Sequence, residues 1–103
     1  MTDASSPALP LDRDTVVVVS RDAVSAELEQ ETIILGMRDG VYFGLDNVGT
    51  RIWSLASAPV TLAALHAAIV AEYDVPAELA WTDLVAVVRD LLAAGLLERA
   101  AEA

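Results

Sequence analysis

Few side chains in this sequence could carry out acid–base or nucleophilic chemistry. His66 is the only histidine among 103 residues, and there is no cysteine. Neither a cysteine–histidine pair nor a zinc site built from cysteines and histidines can therefore form within the chain. A lone histidine at the margin of an apolar helical stripe is typical of a partly exposed structural residue. We interpret His66 in this way and predict no metal site.

The carboxylates and hydroxyls form no recognisable catalytic set. Glu78, Asp83 and Asp90 fall within one predicted helix but on two separate edges, which favours a solvated surface over a general acid–base pair. Ser54 and Ser57 have no general base nearby in the sequence. The glycines do not follow the spacing of a phosphate-binding loop. We therefore predict a protein without catalytic residues, cofactor or enzymatic activity.

Charge narrows the range of partners. The sequence carries 16 acidic residues against 6 basic ones, all of them arginine, for a net charge of −10. This balance disfavours binding to nucleic-acid phosphates and to anionic membranes, since both require clusters of basic residues.

Hydrophobic residues make up 55% of the chain, enough for one buried core. Without a signal peptide or membrane span, we expect a cytoplasmic protein that is a monomer or a weak dimer.

Three strands are predicted in the N-terminal half. We expect a flexible tail over residues 1–14, a folded domain over 15–98 and a frayed C-terminus over 99–103. The predicted strands are the β-branched or apolar runs 15–20, 32–37 and 41–45. Asp39-Gly40 between the last two is a strong hairpin signal. Residues 21–29 fit either a linker or a short helical turn, and the pattern does not choose between them.

Three helices follow the strands. Asp46 or Asn47 is expected to cap a helix that ends near Ser57, and Thr61 a second helix that ends near Tyr73. A third helix is predicted from Pro76 or Ala77 to Ala94, and residues 96–98 fit a short wing-like extension. The element order predicts an α+β, winged-helix-like fold in which a three-stranded antiparallel sheet precedes a three-helix bundle.

The third helix has an unusually wide apolar surface. Its apolar residues cover an arc of about 160°, whereas a surface helix needs only about 100°. Arg89 and Glu78 flank one edge of this arc, and Asp83 and Asp90 flank the other. One interpretation is a central core helix that contacts the sheet and both other helices. The other is that part of the arc lines a groove beside an open strand edge, where a peptide could add as an extra strand.

Two segments together resemble a known family. The stretch LGMRDGVYFGLDNVGTRIW (35–53) and the later LLAAGLLE (91–98) resemble the PqqD-like family. Its members are also called RiPP recognition elements, because they bind the leader peptides of ribosomally made, modified natural products. The family pattern is matched by Gly40, Tyr42, Leu45, Gly49, Ile52, Trp53, Gly95 and Leu96. The resemblance covers about residues 15–98.

The resemblance implies a site as well as a fold. It implies that a leader peptide pairs with the third strand and lies against the third helix. The strand edge would come from Val41, Tyr42, Phe43, Gly44 and Leu45. The pocket walls would come from Leu84, Val87, Val88 and Leu91. Arg89 and Arg38 are candidate partners for acidic leader residues, because isolated arginines are natural carboxylate clamps.

The family serves several pathways. Similar free-standing proteins present lasso-peptide precursors to a leader peptidase, and others present a precursor to a radical SAM enzyme. The DNVGTRIW segment is closer to the lasso type, in which the leader is expected to carry a Tyr-x-x-Pro element. Two other classes remain as alternatives, a winged-helix DNA-binding protein and an antitoxin-like or subunit-stabilising protein. The acidic third helix argues against the first.

Overall fold

Two small antiparallel sheets and three helices build the fold. The computed structural model describes residues 10–28, 31–37 and 40–100. One sheet is a meander of β2 (Ala23–Leu28), β3 (Glu31–Gly36) and β4 (Val41–Leu45). In the other sheet, β1 (Val16–Val19) lies between β5 (Val60–Thr61) and β6 (Leu97–Arg99). The helices are α1 (Asn47–Leu55), α2 (Leu62–Glu72) and α3 (Ala77–Ala93).

The hairpin of β3 and β4 follows the sequence prediction. The strands pair in register from Thr32 opposite Leu45 to Gly36 opposite Val41. Gly40 has φ +69°, the left-handed conformation that glycine adopts without strain. Asp39, the other half of the predicted turn signal, lies outside the described residues.

The strand arrangement differs from the prediction in two respects. The first predicted strand, β1, does not join β3 and β4 but pairs with β5 and β6 in a sheet of its own. Its place beside β3 is taken by β2, which falls within residues 21–29, where the sequence pattern fits either a linker or a short helical turn. The predicted extension after α3 forms β6. The α+β order, with an antiparallel sheet ahead of three helices, is confirmed.

The helix boundaries follow local capping chemistry. Asp46 caps α1, and its Oδ1 accepts a hydrogen bond from the Gly49 amide at 3.0 Å. Thr61 caps α2 in the same way through the Ala64 amide at 3.1 Å. Each cap satisfies an amide that has no partner in the first turn of a helix. Asp46 is therefore the cap of α1, where the sequence had left Asn47 as the alternative.

A Schellman motif ends α3. Gly95 has φ +78°, its amide donates to the Leu92 carbonyl at 3.1 Å, and the Leu96 amide donates to the Leu91 carbonyl at 2.9 Å. This pair of bonds is the usual termination of a helix by a left-handed glycine. The turn leads directly into β6, so only three residues join α3 to the sheet that contains β1. The predicted glycine stop is confirmed.

The hydrophobic core lies between the helices and the inner faces of both sheets. Ile52 and Trp53 of α1 are buried in it. The other large residues buried in this core are Val17, Ile34, Leu45, Leu62, Leu65, Ile69, Leu84, Val88, Leu91, Leu96 and Leu97. α3 contributes buried residues to the core along most of its length, which agrees with the core-helix interpretation as far as burial goes.

Polar contacts join the elements at the surface. His66 Nε2 donates to the Ala77 carbonyl at 2.8 Å, which ties α2 to the start of α3 and agrees with a structural role. Arg51 of α1 forms a bidentate pair with Glu72 of α2, with both N–O distances 2.9 Å. The hydrogen bonds from this guanidinium hold the pKa of Glu72 below its usual value. Residues 10–14, part of the predicted tail, are held by contacts that include a bond from the Ala63 amide to the Arg13 carbonyl.

Candidate functional site

Strand β4 lies at the edge of its sheet. The strand order is β2-β3-β4, so β3 occupies one side of β4, and no strand in the described part of the chain pairs with the other side. An edge strand presents a row of unpaired amides and carbonyls that can pair with another chain. The predicted segment Val41–Leu45 therefore has the backbone geometry that β-strand addition requires.

An open groove of about 290 Å³ runs between β4 and α3. Phe43 and Leu45 turn their side chains towards α3, since they share a face of the sheet with the buried Ile34 and Thr32 of β3. The complete lining is Phe43, Gly44, Leu45, Asp46, Gly49, Val87, Asp90 and Leu91. An edge strand and an apolar helix surface thus form one continuous concave site.

Only part of the predicted helix wall reaches this groove. Val87 and Leu91 line it, with Val87 half-buried and Leu91 fully buried at its base. Leu84 and Val88 are 2% and 0% exposed and belong to the core. They contribute to the site by supporting α3 and not by offering surface to the groove.

The charges that line the groove are acidic. Asp46 and Asp90 belong to the lining. Arg89 is exposed on α3 but is not part of the lining, because one residue along a helix turns the side chain by about 100°. Arg38 lies outside the described residues. The helix therefore presents its Asp83 and Asp90 edge, and not its Arg89 edge, to β4.

Gly49 sets how closely α1 approaches β4. A Cβ at this position would lie 3.1 Å from the Cβ of Leu45 and 3.2 Å from its Cδ2. Those distances are tighter than ordinary van der Waals contact. Because Gly49 has no side chain, the first turn of α1 packs directly on the end of β4. Asp46, between the two elements, therefore both caps α1 and lines the groove.

Sequence reasoning missed the contribution of Asp46, Gly49 and Asp90 to the groove. Asp90 could have been found only by knowing which edge of α3 faces the sheet. Asp46 was recognised as a cap, but a cap immediately after an edge strand also lies at the end of any groove beside that strand.

The described residues contain neither a cluster of potential metal ligands nor a helix that could span a membrane. Across residues 10–28, 31–37 and 40–100, no three histidine, aspartate or glutamate side chains come together as a metal site. No helix in those ranges is both long enough and apolar enough to cross a bilayer.

A family of known sequences matches most of the folded part of this chain. The family described as coenzyme PQQ synthesis protein D (PqqD) matches residues 31–97, more than half of the chain. This chain belongs to the PqqD family. The match spans β3, β4, all three helices and the start of β6, so it includes every residue that lines the groove.

Two solved structures resemble this PqqD-family protein. TbiB1 in complex with the TbiA(beta) leader peptide is 39% identical, with a TM-score of 0.74 over 82% of this chain and 99% of that chain. A lasso peptide synthetase B1 complexed with the leader peptide has a TM-score of 0.70 over 80% of this chain and 96% of that chain; at 21% identity this likeness shows a common fold and no more. No curated protein matches the sequence significantly.

A second surface of this PqqD-family protein is apolar and uncovered. Tyr42 on β4 lies opposite Leu35 on β3, which lies opposite Val24 on β2, so these three form one row on the outer face of the sheet. Tyr42 is 69% exposed and Val24 is 54% exposed. Ala26, Ile33 and Gly44 form the next row. We call these two rows the outer sheet face; the rows themselves contain no charged side chain, and the exposed Glu31 lies on the same side of β3 one row further along.

An open cleft of about 460 Å³ lies on the far side of α3. Trp81 is half-buried there, with its ring 5.4 Å from that of His66 and the Arg13 guanidinium 5.3 Å from its centroid. Trp81 does not line the groove beside β4. Its contacts instead join residues before β1 to α2 and α3.

Proposed function

We propose that this PqqD-family protein is a noncatalytic RiPP recognition element of the lasso-peptide type that binds the leader of a ribosomal precursor peptide. The open edge of β4, beside a groove with apolar residues from both β4 and α3, is the observation that carries this proposal. An extended peptide can pair with such an edge through its main chain while alternate side chains enter pockets beside the strand. The 39% identity to TbiB1, a protein described in complex with a leader peptide, supports the same class of partner.

The groove residues take defined roles in this proposal. Val41–Leu45 supply the strand edge, and Val87 and Leu91 supply the helix wall, with Leu84 and Val88 holding α3 from the core. Arg89 and Arg38 as partners for leader acids remain a prediction. The lining itself carries Asp46 and Asp90. A leader with basic residues near these two carboxylates would therefore be favoured by charge.

The absence of a catalytic role is supported by where the reactive side chains lie. His66 contacts Ala77 and Trp81 on the far side of α3. Asp46 is engaged as the cap of α1.

Binding would order a flexible leader, and that conformational cost lowers the affinity obtained for a given contact area. The protein then acts by holding the leader while the adjoining core region of the precursor remains available to an enzyme.

Direct binding of leader peptides tests the function. The probes are fluorescein-labelled lasso-peptide leaders, including the TbiA(beta) leader, with a scrambled version of each. We expect saturable fluorescence polarisation with at least one native leader and none with its scrambled form. In a hydrogen-exchange experiment, the amides of β4 should become protected when that leader is bound. A protein that distinguishes no native leader from its scrambled form would contradict the proposed function.

The outer sheet face suits the enzyme that receives the bound precursor. It adjoins the groove through β4, since Gly44 belongs to both surfaces. An exposed apolar patch of this kind is typical of a protein–protein contact. We propose that a lasso-peptide leader peptidase docks there while the leader occupies the groove, so that one strand contacts both partners.

Substitution of Val24 by lysine should separate the two contacts. Val24 lies on β2, at the edge of the sheet opposite β4, so leader affinity should stay within about twofold of the wild type. A charge in the apolar contact should lower the rate of precursor cleavage by a reconstituted leader peptidase by about tenfold, the effect of roughly 1.4 kcal/mol. Leu79→Lys, at an exposed position on α3, is the matched control. Unchanged cleavage by Val24→Lys would place the peptidase elsewhere.

A further inference from the structure

Gly44 is a glycine that the protein fold itself does not require. Its φ is not in the left-handed region, and a Cβ built at this position would meet no atom of the described residues within 4 Å. Gly40 and Gly95 have positive φ, and Gly49 permits a close approach, but none of these reasons applies to Gly44. A glycine inside a strand weakens it and often marks a place where a ligand or another backbone approaches closely.

The position of Gly44 connects two hollows on either side of the edge strand. Gly44 lines the groove beside α3 and also a hollow of about 220 Å³ on the β3 side. Ile33, directly across from Gly44 on β3, lines that second hollow, and the carboxylates of Glu31 and Asp46 also belong to its lining. Ile33 is 39% exposed on the outer sheet face. The missing side chain therefore leaves an apolar residue uncovered one strand away from the open edge.

A strand added to β4 would bring one of its residues into the same row. Neighbouring strands lie about 4.8 Å apart, and residues directly opposite each other share a face. The peptide residue opposite Gly44 would extend the row that already contains Ala26, Ile33 and Gly44. With no side chain at Gly44 between them, a large side chain from the peptide can lie across the glycine and contact Ile33. Aromatic side chains cover glycines on neighbouring strands in this way.

We propose that Gly44 is a specificity-determining residue that accepts a large apolar side chain, aromatic or long aliphatic, from the leader residue paired with it. This inference rests on the proposed function. The side chain from the leader would complete the outer sheet face at the row where that face is incomplete. A leader with a small or charged residue at this position would leave Ile33 uncovered or place a charge against it.

Substitution of Gly44 by valine tests the inference because it should affect binding and not folding. Valine has a higher β-propensity than glycine and finds open space at this site, so the melting temperature should be unchanged or higher. Its side chain would occupy the room left for the leader and cover Ile33 itself. We expect the affinity for the best-binding native leader in the polarisation screen to fall at least about tenfold, as when contact with one large apolar side chain is lost.

A matched control and a leader scan complete the experiment. Ala26→Val places the same side chain in the same row but on β2, at the opposite edge, and should bind the leader as the wild type does. In an alanine scan of the leader, one large apolar position should weaken binding to the wild type but have little further effect on Gly44→Val. Such non-additivity identifies the two residues in contact.

The outcomes distinguish this inference from the proposed function. If folded Gly44→Val binds the leader as tightly as the wild type, the inference is wrong and the proposed function stands. A second outcome is that Gly44→Ala already loses as much affinity as Gly44→Val, with no leader position coupled to residue 44. In that case the glycine is needed so that the leader backbone can approach β4 closely, and the inference is also wrong. If the wild type binds no native leader, the proposed function fails before the variant is compared.

Discussion

Val87→Glu should abolish leader binding while the protein stays folded. Val87 is half-buried and forms part of the α3 wall of the groove. Glutamate there would remove apolar contact and require a carboxylate to be desolvated when the leader binds. It would also add a third negative charge to a lining that already contains Asp46 and Asp90. We expect affinity to fall by about a hundredfold or more, equivalent to about 2.7 kcal/mol, in the fluorescence polarisation assay.

Val85 provides a control of the same residue type on the same helix. Val85 is also half-buried but does not line the groove, and two residues along a helix place it about 160° away from Val87. Val85→Glu should therefore bind the leader with nearly wild-type affinity. Circular dichroism would establish that both variants are folded. A folded Val87→Glu protein with wild-type affinity would exclude the groove as the leader site.

Val88→Glu, one position further along, should prevent stable folding. Val88 is 0% exposed and is surrounded by the core. An unpaired carboxyl group buried at such a site costs several kcal/mol, a large part of the stability of a small domain. A loss of about 4 kcal/mol lowers the melting temperature of a domain of this size by about 20 °C or more. Thermal denaturation followed by circular dichroism would show either this drop or no cooperative transition.

A milder change at the same position separates volume from charge. Val88→Ala removes two methyl groups without introducing a carboxyl group, so it should lower the melting temperature but retain a cooperative transition. If Val88→Glu melted like the wild type, α3 could not be packed as described. Glutamate at Val85, Val87 and Val88 thus has three different expected results within one turn of the helix, since Val85 is half-buried away from the groove, Val87 lines the groove and Val88 lies in the core.

The features predicted correctly from sequence are those decided by local chemistry. Asp46 and Thr61 satisfy amides only three residues away, and Gly95 ends α3 through bonds to its own last turn. Such interactions are encoded in short segments and can be recognised without knowing the fold. The hairpin at Gly40 belongs to the same class, because a positive φ is a property of single residues.

The features that were missed depend on distant partners. β2 combines Ala23, Ala26 and Glu27, residue types that do not favour a strand, and it is extended because β3 provides a register for it. β1 was recognised as a strand but placed in the wrong sheet. Its partners, β5 and β6, are two and three residues long, which is too short for a periodic pattern to identify.

The orientation of α3 explains why the site was predicted only in part. A wide apolar arc shows that the helix contacts several neighbours, but it does not say which edge faces the open strand. The structure turns Val87, Asp90 and Leu91 towards β4 and leaves Arg89 outside the lining. The strand edge itself came from the resemblance to the PqqD-like family, because no local pattern distinguishes an edge strand from a central one.

The position of β1 between β5 and β6 has a consequence for how the chain folds during synthesis. Val18 pairs with Glu98, so the central strand of this sheet is translated before all three helices and must wait for its last partner. The hairpin of β3 and β4 can form early from local contacts, whereas pairings between distant residues form slowly. We therefore expect nascent chains that end before residue 97 to be sensitive to protease, and resistance to arise only once β6 has left the ribosome.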